Sequence, residues 1–309
     1  MNDKITLVMQ VIFITAAAVL GPGVSLAWAQ TANPPPADHP EVTVHGRRFT
    51  PQIILARNMG TPEDQTAQFP PHKIIGNLYY VGTRTLSSFL IVTSQGNILI
   101  NSTYERNVPT IKKSIEQLGF KFSDIKILLG THAHSDHQEG DALIKQMTGA
   151  QTMAMAEDVP ALQAITPGGK EHPIDKTLHD GETVTLGGTT LIAHLTPGHT
   201  RGCTTWIMKA QEGDKNYNVV IGCSLRPPAT LTPEVIAELS HSFPLVRSLA
   251  CDVPLGDHPA QYNMEEKYAK LQNGARNPFI DPDGCTYEVD IEEAMFHALL
   301  DEQQKTVGH

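Results

Sequence analysis

Leu128-Leu-Gly-Thr-His-Ala-His-Ser-Asp-His137 is the stretch on which the reading of this chain turns. It places His132, His134, Asp136 and His137, four metal-ligand side chains, within six residues. The apolar run Ile125 to Leu129 leads into it and predicts a buried strand, so the four side chains sit on a loop launched from a rigid base. Imidazole and carboxylate donors suit zinc, and His132 and His134, two apart on an extended segment, point the same way. Asp136 and His137 follow on another heading, which suggests a second ion beside the first. The plainer alternative is a polar, histidine-rich loop that binds nothing. Four donors in six residues directly behind an apolar strand argue against it.

Two further histidines occupy loop positions downstream. His199 lies in Thr196-Pro-Gly-His-Thr200, after a strand and a Pro-Gly turn, and His258 lies in Leu255-Gly-Asp-His-Pro259. A lone loop histidine is usually polar surface, so each gains weight only beside the first motif. The pattern His132-x-His134-x-Asp136-His137 resembles the signature of the metallo-β-lactamase superfamily, and the resemblance runs from about Leu78 to the C-terminus. It implies an α/β fold, a four-layer αββα sandwich with ligands on loops along one edge of the paired sheets. It also implies two Zn2+, one held by His132, His134 and His199, the other by Asp136, His137 and His258. Three protein ligands per zinc leave a position for water, as catalytic zinc requires. The implied chemistry is a water that loses its proton near neutral pH between two zinc ions and attacks a carbonyl, with Asp136 orienting it. No Gly-x-Ser-x-Gly elbow offers a serine nucleophile instead.

Three features discriminate within that family. Position 134 is His, where diiron relatives carry Glu. Glyoxalase-like thioesterases and lactonases bridge their metals with an Asp in a Gly-Asp-Thr-Leu-like segment, whereas the equivalent Gly222-Cys-Ser-Leu225 has Cys223 there. His137 stands where the subclass that uses a cysteine on its second zinc typically has Arg. Together these resemble the third subclass of class B β-lactamases. That implies hydrolysis of the β-lactam amide of penicillins, cephalosporins and carbapenems; a lactonase, a thioesterase or a non-catalytic zinc-binding protein are the alternatives. In the third subclass a serine at position 224 hydrogen-bonds beside the second zinc, which makes Ser224 a catalytic candidate; the rival reading is a solvated serine at a strand end. Arg226 can pair with the carboxylate that such substrates carry, or it is a surface arginine.

Four cysteines, Cys203, Cys223, Cys251 and Cys285, suggest two disulfides in an exported chain. Cys203 and Cys223 flank a predicted strand pair that brings them together, leaving Cys251 with Cys285, a spacing that resembles a disulfide common in the third subclass. In the chain-entropy model each closure stabilises by roughly 3–4 kcal/mol. A rival makes Cys223 a zinc ligand, although His137 already fills that coordination place.

Export is read from the first residues. Met1-Asn-Asp-Lys4 is weakly basic, Ile5 to Leu20 is almost continuously apolar, and Ala27-Trp-Ala29 fits a small-x-small cleavage site. Residues 1–29 are therefore expected to be a cleaved signal peptide, with a membrane anchor as the rival, and the mature protein to be periplasmic and free of the membrane. Residues 30–71, rich in Pro, Thr and Gln and carrying Pro34-Pro-Pro36, predict an irregular arm, long enough to fold over a site. Residues 72–309 are expected to form the metallo-β-lactamase domain. The chain has 309 residues, 40% hydrophobic and 18% charged, enough for one substantial core. Its net charge of −10 comes with no Lys/Arg cluster, which argues against nucleic acid as a partner. The expected partner is a small-molecule β-lactam, and no feature asks for an oligomer, so a monomer is expected.

Short β-type runs follow from Leu78, then a helix over Val108 to Leu118 stopped by Gly119, and a second strand series from Glu182. Pro233 to Ser240 and Pro244 to Leu249 read as two helices broken at Pro244. Glu265 to Gln272 and Ile291 to Gln304 read as amphipathic helices.

Overall fold

Alternation along the strands around the motif builds two hydrophobic faces from one sheet. Phe89 and Ile91, Ile98 and Ile100, and Ile127 and Leu129 enter one buried cluster, while the intervening Leu90, Leu99 and Leu128 enter another. A period of two sends neighbours to opposite faces, and here both faces are covered. The computed structural model describes residues 38–307, so the expected signal peptide lies outside the described residues.

The chain opens with β1 (Val42–Val44), β2 (Arg47–Phe49) and α1 (Pro51–Met59). Then come β3 (His72–Ile75), β4 (Leu78–Tyr80), β5 (Phe89–Thr93), β6 (Gly96–Ile100), α2 (Val108–Gln117), β7 (Ile125–Leu129), α3 (Ser135–Gln138), α4 (Asp141–Thr148), β8 (Gln151–Met155), α5 (Val159–Leu162) and β9 (Lys176–Leu178). The second series is β10 (Thr183–Leu186), β11 (Thr189–Leu195), β12 (Thr204–Glu212), β13 (Lys215–Gly222), α6 (Pro233–Ser248), β14 (Val253–Gly256), α7 (Met264–Gln272) and α8 (Tyr287–Val307). Strands β3 to β9 form a seven-stranded sheet in sequence order, and β10 to β14 form a five-stranded one.

The inner faces of both sheets meet in a single core, where Ile91, Ile100 and Leu129 share a cluster with Leu191, Trp206, Met208 and Ile221. Val108, Ile111 and Ile115 of α2 and Ile144 of α4 cover the outer face of the larger sheet. Leu239 and Phe243 of α6 pack with Val289 and Phe296 of α8, and Val246 and Val289 close a small cavity against Val220 and Pro254 on the outside of the other sheet. Helix, sheet, sheet, helix is the four-layer αββα order expected. Parallel pairing matters for function: β6 with β7, and β13 with β14 in the register Gly222↔Gly256, send successive loops off the same ends of the strands.

The irregular arm expected over residues 30–71 is corrected for its described part. Val42 to Phe49 is a hairpin closed by His45 (φ 48°) and Gly46 (φ 71°), and α1 follows with Thr50 Oγ1 accepting from Ile53 N and Pro51 in the first turn. A capping threonine followed by proline is a helix start, a signal the proline-rich composition concealed. The domain boundary expected at residue 72 moves accordingly, because Phe49 and Ile54 are buried against Ile291 and Met295 of α8. A second correction concerns Pro244, which lies inside one continuous helix, α6. Proline removes a hydrogen bond from the helix. Burial of Leu239, Ser242 and Phe243, and the bond from Ser242 Oγ to Pro197 O (2.7 Å), hold the turn in place. The β12–β13 hairpin pairs as far as Glu212↔Lys215, so that only Gly213 and Asp214 form its turn.

Candidate metal centre

Each candidate ligand follows the C-terminal end of a strand. β7 delivers His132 and His134 and then, through the single turn of α3, Asp136 and His137; β11 delivers His199, and β14 delivers His258. The structure gathers them into two groups, His132 with His134 and His199, and Asp136 with His137 and His258, with potential ligand atoms in each group within 4.8 Å of one another. His132 also packs against His137, ring centroids 4.2 Å apart, so the groups adjoin.

Hydrogen bonds at the far ring nitrogens fix which nitrogen faces inward. His132 Nδ1 lies 3.2 Å from Asp257 Oδ2, His199 Nδ1 donates to Arg226 O at 2.9 Å, and His258 Nδ1 donates to Thr85 O at 3.0 Å. Each leaves its Nε2 lone pair for the pocket, the tautomer a metal needs. His132 Nε2 and His134 Nδ1 approach to 3.0 Å, a crowding of nitrogens that a shared cation relieves. Among the described residues fully buried His137 finds no hydrogen-bond partner at either ring nitrogen, although Asp136 Oδ2 lies 3.2 Å from its Nε2. Buried orphan nitrogens are costly unless something ligates them. Three nitrogens in one group and two nitrogens plus a carboxylate in the other are donor sets that suit zinc.

Four of the five histidines are held toward the neutral form. Burial, helped by the His137 and His134 imidazoles, pushes His132 down to about 3, so it is neutral and able to donate a lone pair at neutral pH. Burial lowers His199, His134 and His258 as well. Burial pulls His137 down, but the Asp136 carboxylate outweighs it and the net shift is upward. Asp136, against burial, is held well below the carboxylate range by its histidine neighbours.

These groups line a cavity of about 180 Å3 that also takes in Ser224, Arg226 and three residues of α1, Leu55, Asn58 and Met59. The N-terminal segment thus reaches this cavity through a helix, α1. Arg226 forms no ion pair among the described residues. The Ser224 hydroxyl donates to Glu292 Oε1 at 2.9 Å, and its backbone N–H donates to Asp257 Oδ2 at 2.9 Å. Its hydroxyl is thus committed to α8, a departure from the expected bond beside a zinc. Cys203–Cys223 and Cys251–Cys285 are disulfide-bonded, with Cα separations of 5.9 and 6.1 Å. Cys223 lies beside His132, yet its sulfur is bonded to Cys203, so it offers no thiolate.

Sequence reasoning missed Asp257, Glu292 and the α1 wall. Asp257 had a visible signal: Asp257-His258 repeats the Asp136-His137 dipeptide. Glu292 had none, being one of several acids in a long amphipathic helix. It is buried and also accepts from Leu225 N at 2.7 Å. Burial pushes its carboxyl well up, and nearby Glu288, itself paired with Arg57 of α1, adds to the effect. A carboxyl raised in the fold contributes stability that is complete below its ordinary value of 4.5 and is lost as pH rises through the folded value. Glu292→Gln is therefore expected to gain melting temperature relative to the parent as pH rises upward from 4.5. A difference that stays constant over that rise would reject the assignment.

Comparison with known proteins places these features in context. A family model described as metallo-beta-lactamase superfamily matches residues 81–209. The chain is similar to the native FEZ-1 metallo-β-lactamase from Legionella gormanii, 45% identical, covering 77% of this chain and 98% of that one with a TM-score of 0.71. It is similar to the class B3 di-zinc metallo-β-lactamase LRA-12 from an Alaskan soil metagenome, 30% identical over 77% of this chain and 97% of that one, TM-score 0.72. By sequence it also resembles a hydroxyacylglutathione hydrolase of Methylobacterium nodulans, 26% identical over 188 residues, 60% of this chain. The chain spans 63% of that relative's length.

Proposed function

The chain belongs to the metallo-β-lactamase superfamily, and from that premise we propose that it is a zinc-dependent β-lactamase of the B3 kind. The observation that carries the reading is the pair of adjoining donor groups, three histidines beside Asp136, His137 and His258, opening on one cavity. The 45% identity to FEZ-1 across 98% of that enzyme supports the substrate class. Two Zn2+ are proposed, one on His132, His134 and His199, the other on Asp136, His137 and His258.

Bound there, zinc supplies an acidified water and polarises the substrate carbonyl. The protein's own groups do the rest. Asp136, with Oδ2 3.2 Å from His137 Nε2 and 3.8 Å from His258 Nε2, holds a carboxylate where it can accept a hydrogen bond from a water and aim it. Asp257 fixes the ring of His132 and, through the Ser224 amide, the loop that carries Arg226. Arg226, without an acidic partner among the described residues, pairs with the substrate carboxylate, and Leu55 and Met59 give the ring substituents an apolar wall. Arg226→Ala is expected to raise KM for a carbapenem about tenfold, the loss of one charge-assisted hydrogen bond, and to change kcat less. An unchanged KM removes the binding role.

The thioesterase reading is favoured by one observation, the hydroxyacylglutathione hydrolase among the sequence relatives. Against it, Cys223, tied to Cys203, stands where that chemistry uses a bridging Asp. The deciding experiment follows carbapenem absorbance with the purified protein, before and after chelation and after zinc is restored. Turnover that the chelator abolishes and zinc recovers is expected. No carbapenem turnover, with release of thiol from an acylglutathione thioester, would establish the alternative.

We further propose export through a cleaved signal peptide to the periplasm and a monomeric state. The apolar Ile5 to Leu20 run, the Ala27-x-Ala29 pattern and the two disulfides support export. Among the described residues no helix is long and apolar enough to cross a membrane.

A further inference from the structure

The three histidines of the first group come from two loops far apart in sequence, and one carboxylate outside the cavity touches both loops. Asp158, just beyond β8 and 2% exposed, accepts from Ala133 N at 2.8 Å, from Thr200 Oγ1 at 2.8 Å and from Gly202 N at 2.7 Å. Ala133 separates His132 from His134, and Thr200 follows His199 directly. The contact is close on every side: a Cβ at Gly202 would stand 2.5 Å from Asp158 N and 2.7 Å from its Cγ, so position 202 admits glycine alone. Among the described residues no basic side chain pairs with Asp158. Its oxygens are satisfied by these three donors. No hydrogen bond links it to Asp136, His137 or His258.

We infer that Asp158 is a positioning residue for the first zinc group: it locks the loop of His132 and His134 to the loop of His199 and sets the spacing of the three imidazoles. An acceptor with two oxygens can hold three N–H and O–H donors at once, which neither an amide nor a hydroxyl of the same size can do. The energetic logic is preorganisation. Ligands held in place before the ion arrives need no ordering on binding, and loss of such an outer partner typically lowers metal affinity by about 10–100-fold. The inference rests on the reading of His132, His134 and His199 as a zinc site.

The test isolates each site and reads zinc binding directly, by competition with a chromophoric chelator. In a His258→Ala background only the first group is complete, and Asp158→Asn is expected to weaken zinc there by about 10–100-fold. In a His199→Ala background only the second group retains its ligands, and Asp158→Asn is expected to leave zinc affinity unchanged. A purely structural role would weaken both backgrounds alike, and that result would overturn the inference, as would an unchanged affinity in the first. If Asp158→Asn fails to fold, Thr200→Val removes one of the three bonds without touching the backbone. It is expected to weaken the first group selectively, by a smaller factor, and equal affinity to the parent would count against the inference. If the parent chain binds no zinc, the zinc reading itself has failed.

Discussion

Replacing His199 with alanine is expected to lower kcat/KM for a carbapenem by roughly 10^3-fold, because Lewis-acid stabilisation of the developing charge is worth several kcal/mol and each 1.36 kcal/mol is tenfold. His199 has two functions in the structure. Its inward nitrogen joins His132 and His134 in the first group, and its Nδ1 donates to Arg226 O at 2.9 Å. The substitution therefore leaves the first group with two ligands and frees the loop bearing Arg226. Zinc content is expected to fall from two per chain toward one, with the second group retained. Rings from His132 and His134 still occupy the cavity, so the zinc-free protein should melt close to its parent. Steady-state kinetics beside metal analysis checks this. A variant that keeps two zinc ions and stays within tenfold of parental activity would exclude His199 as a ligand.

The second large effect is expected far from any ligand. Ile54, fully buried on α1, packs with Phe49, Ile291 and Met295. Truncating a buried isoleucine to alanine costs about 2–5 kcal/mol, since the cavity left behind collapses only in part. Ile54→Ala should thus lose much of the margin of a typical domain. It should also disturb catalysis, because the same helix presents Leu55, Asn58 and Met59 to the cavity of the two donor groups. KM should rise more than kcat falls, as the residues affected line the cavity and belong to neither donor group. Denaturant unfolding gives the first quantity and steady-state kinetics the second. Loss of stability with KM unmoved would show that the α1 wall takes no part in binding.

The candidate metal ligands that the fold brings together were legible because they are local or carry loop signals. Four lie within one six-residue motif, and His199 and His258 each follow a strand that ends in a turn. Short β-type runs made many of the strands legible in the same way, whereas the four-layer sandwich followed from the resemblance that the motif carries. What escaped was of a different kind. Asp158, Asp257 and Glu292 are acids whose importance comes from backbone donors that only the folded chain brings near, namely Ala133 and Gly202, Ser224, and Leu225. Composition marks such residues as surface. The arm was misread for the opposite reason: the prolines at 34–36 dominated the reading of a segment whose later part holds a capped helix. Pro244 misled because local propensity forecasts a break, whereas tertiary burial of Leu239 and Phe243 keeps α6 whole.

The packing of α1 on α8 has a consequence for when the centre can be filled. Polypeptide is synthesised and exported from its N-terminus, and all six proposed ligands, the last being His258, precede Tyr287, where α8 begins. The packing of the wall is completed only when that final helix exists, since Phe49 and Ile54 share their buried cluster with its Ile291 and Met295. A nascent chain thus possesses every donor before it possesses the structure that narrows the approach to them.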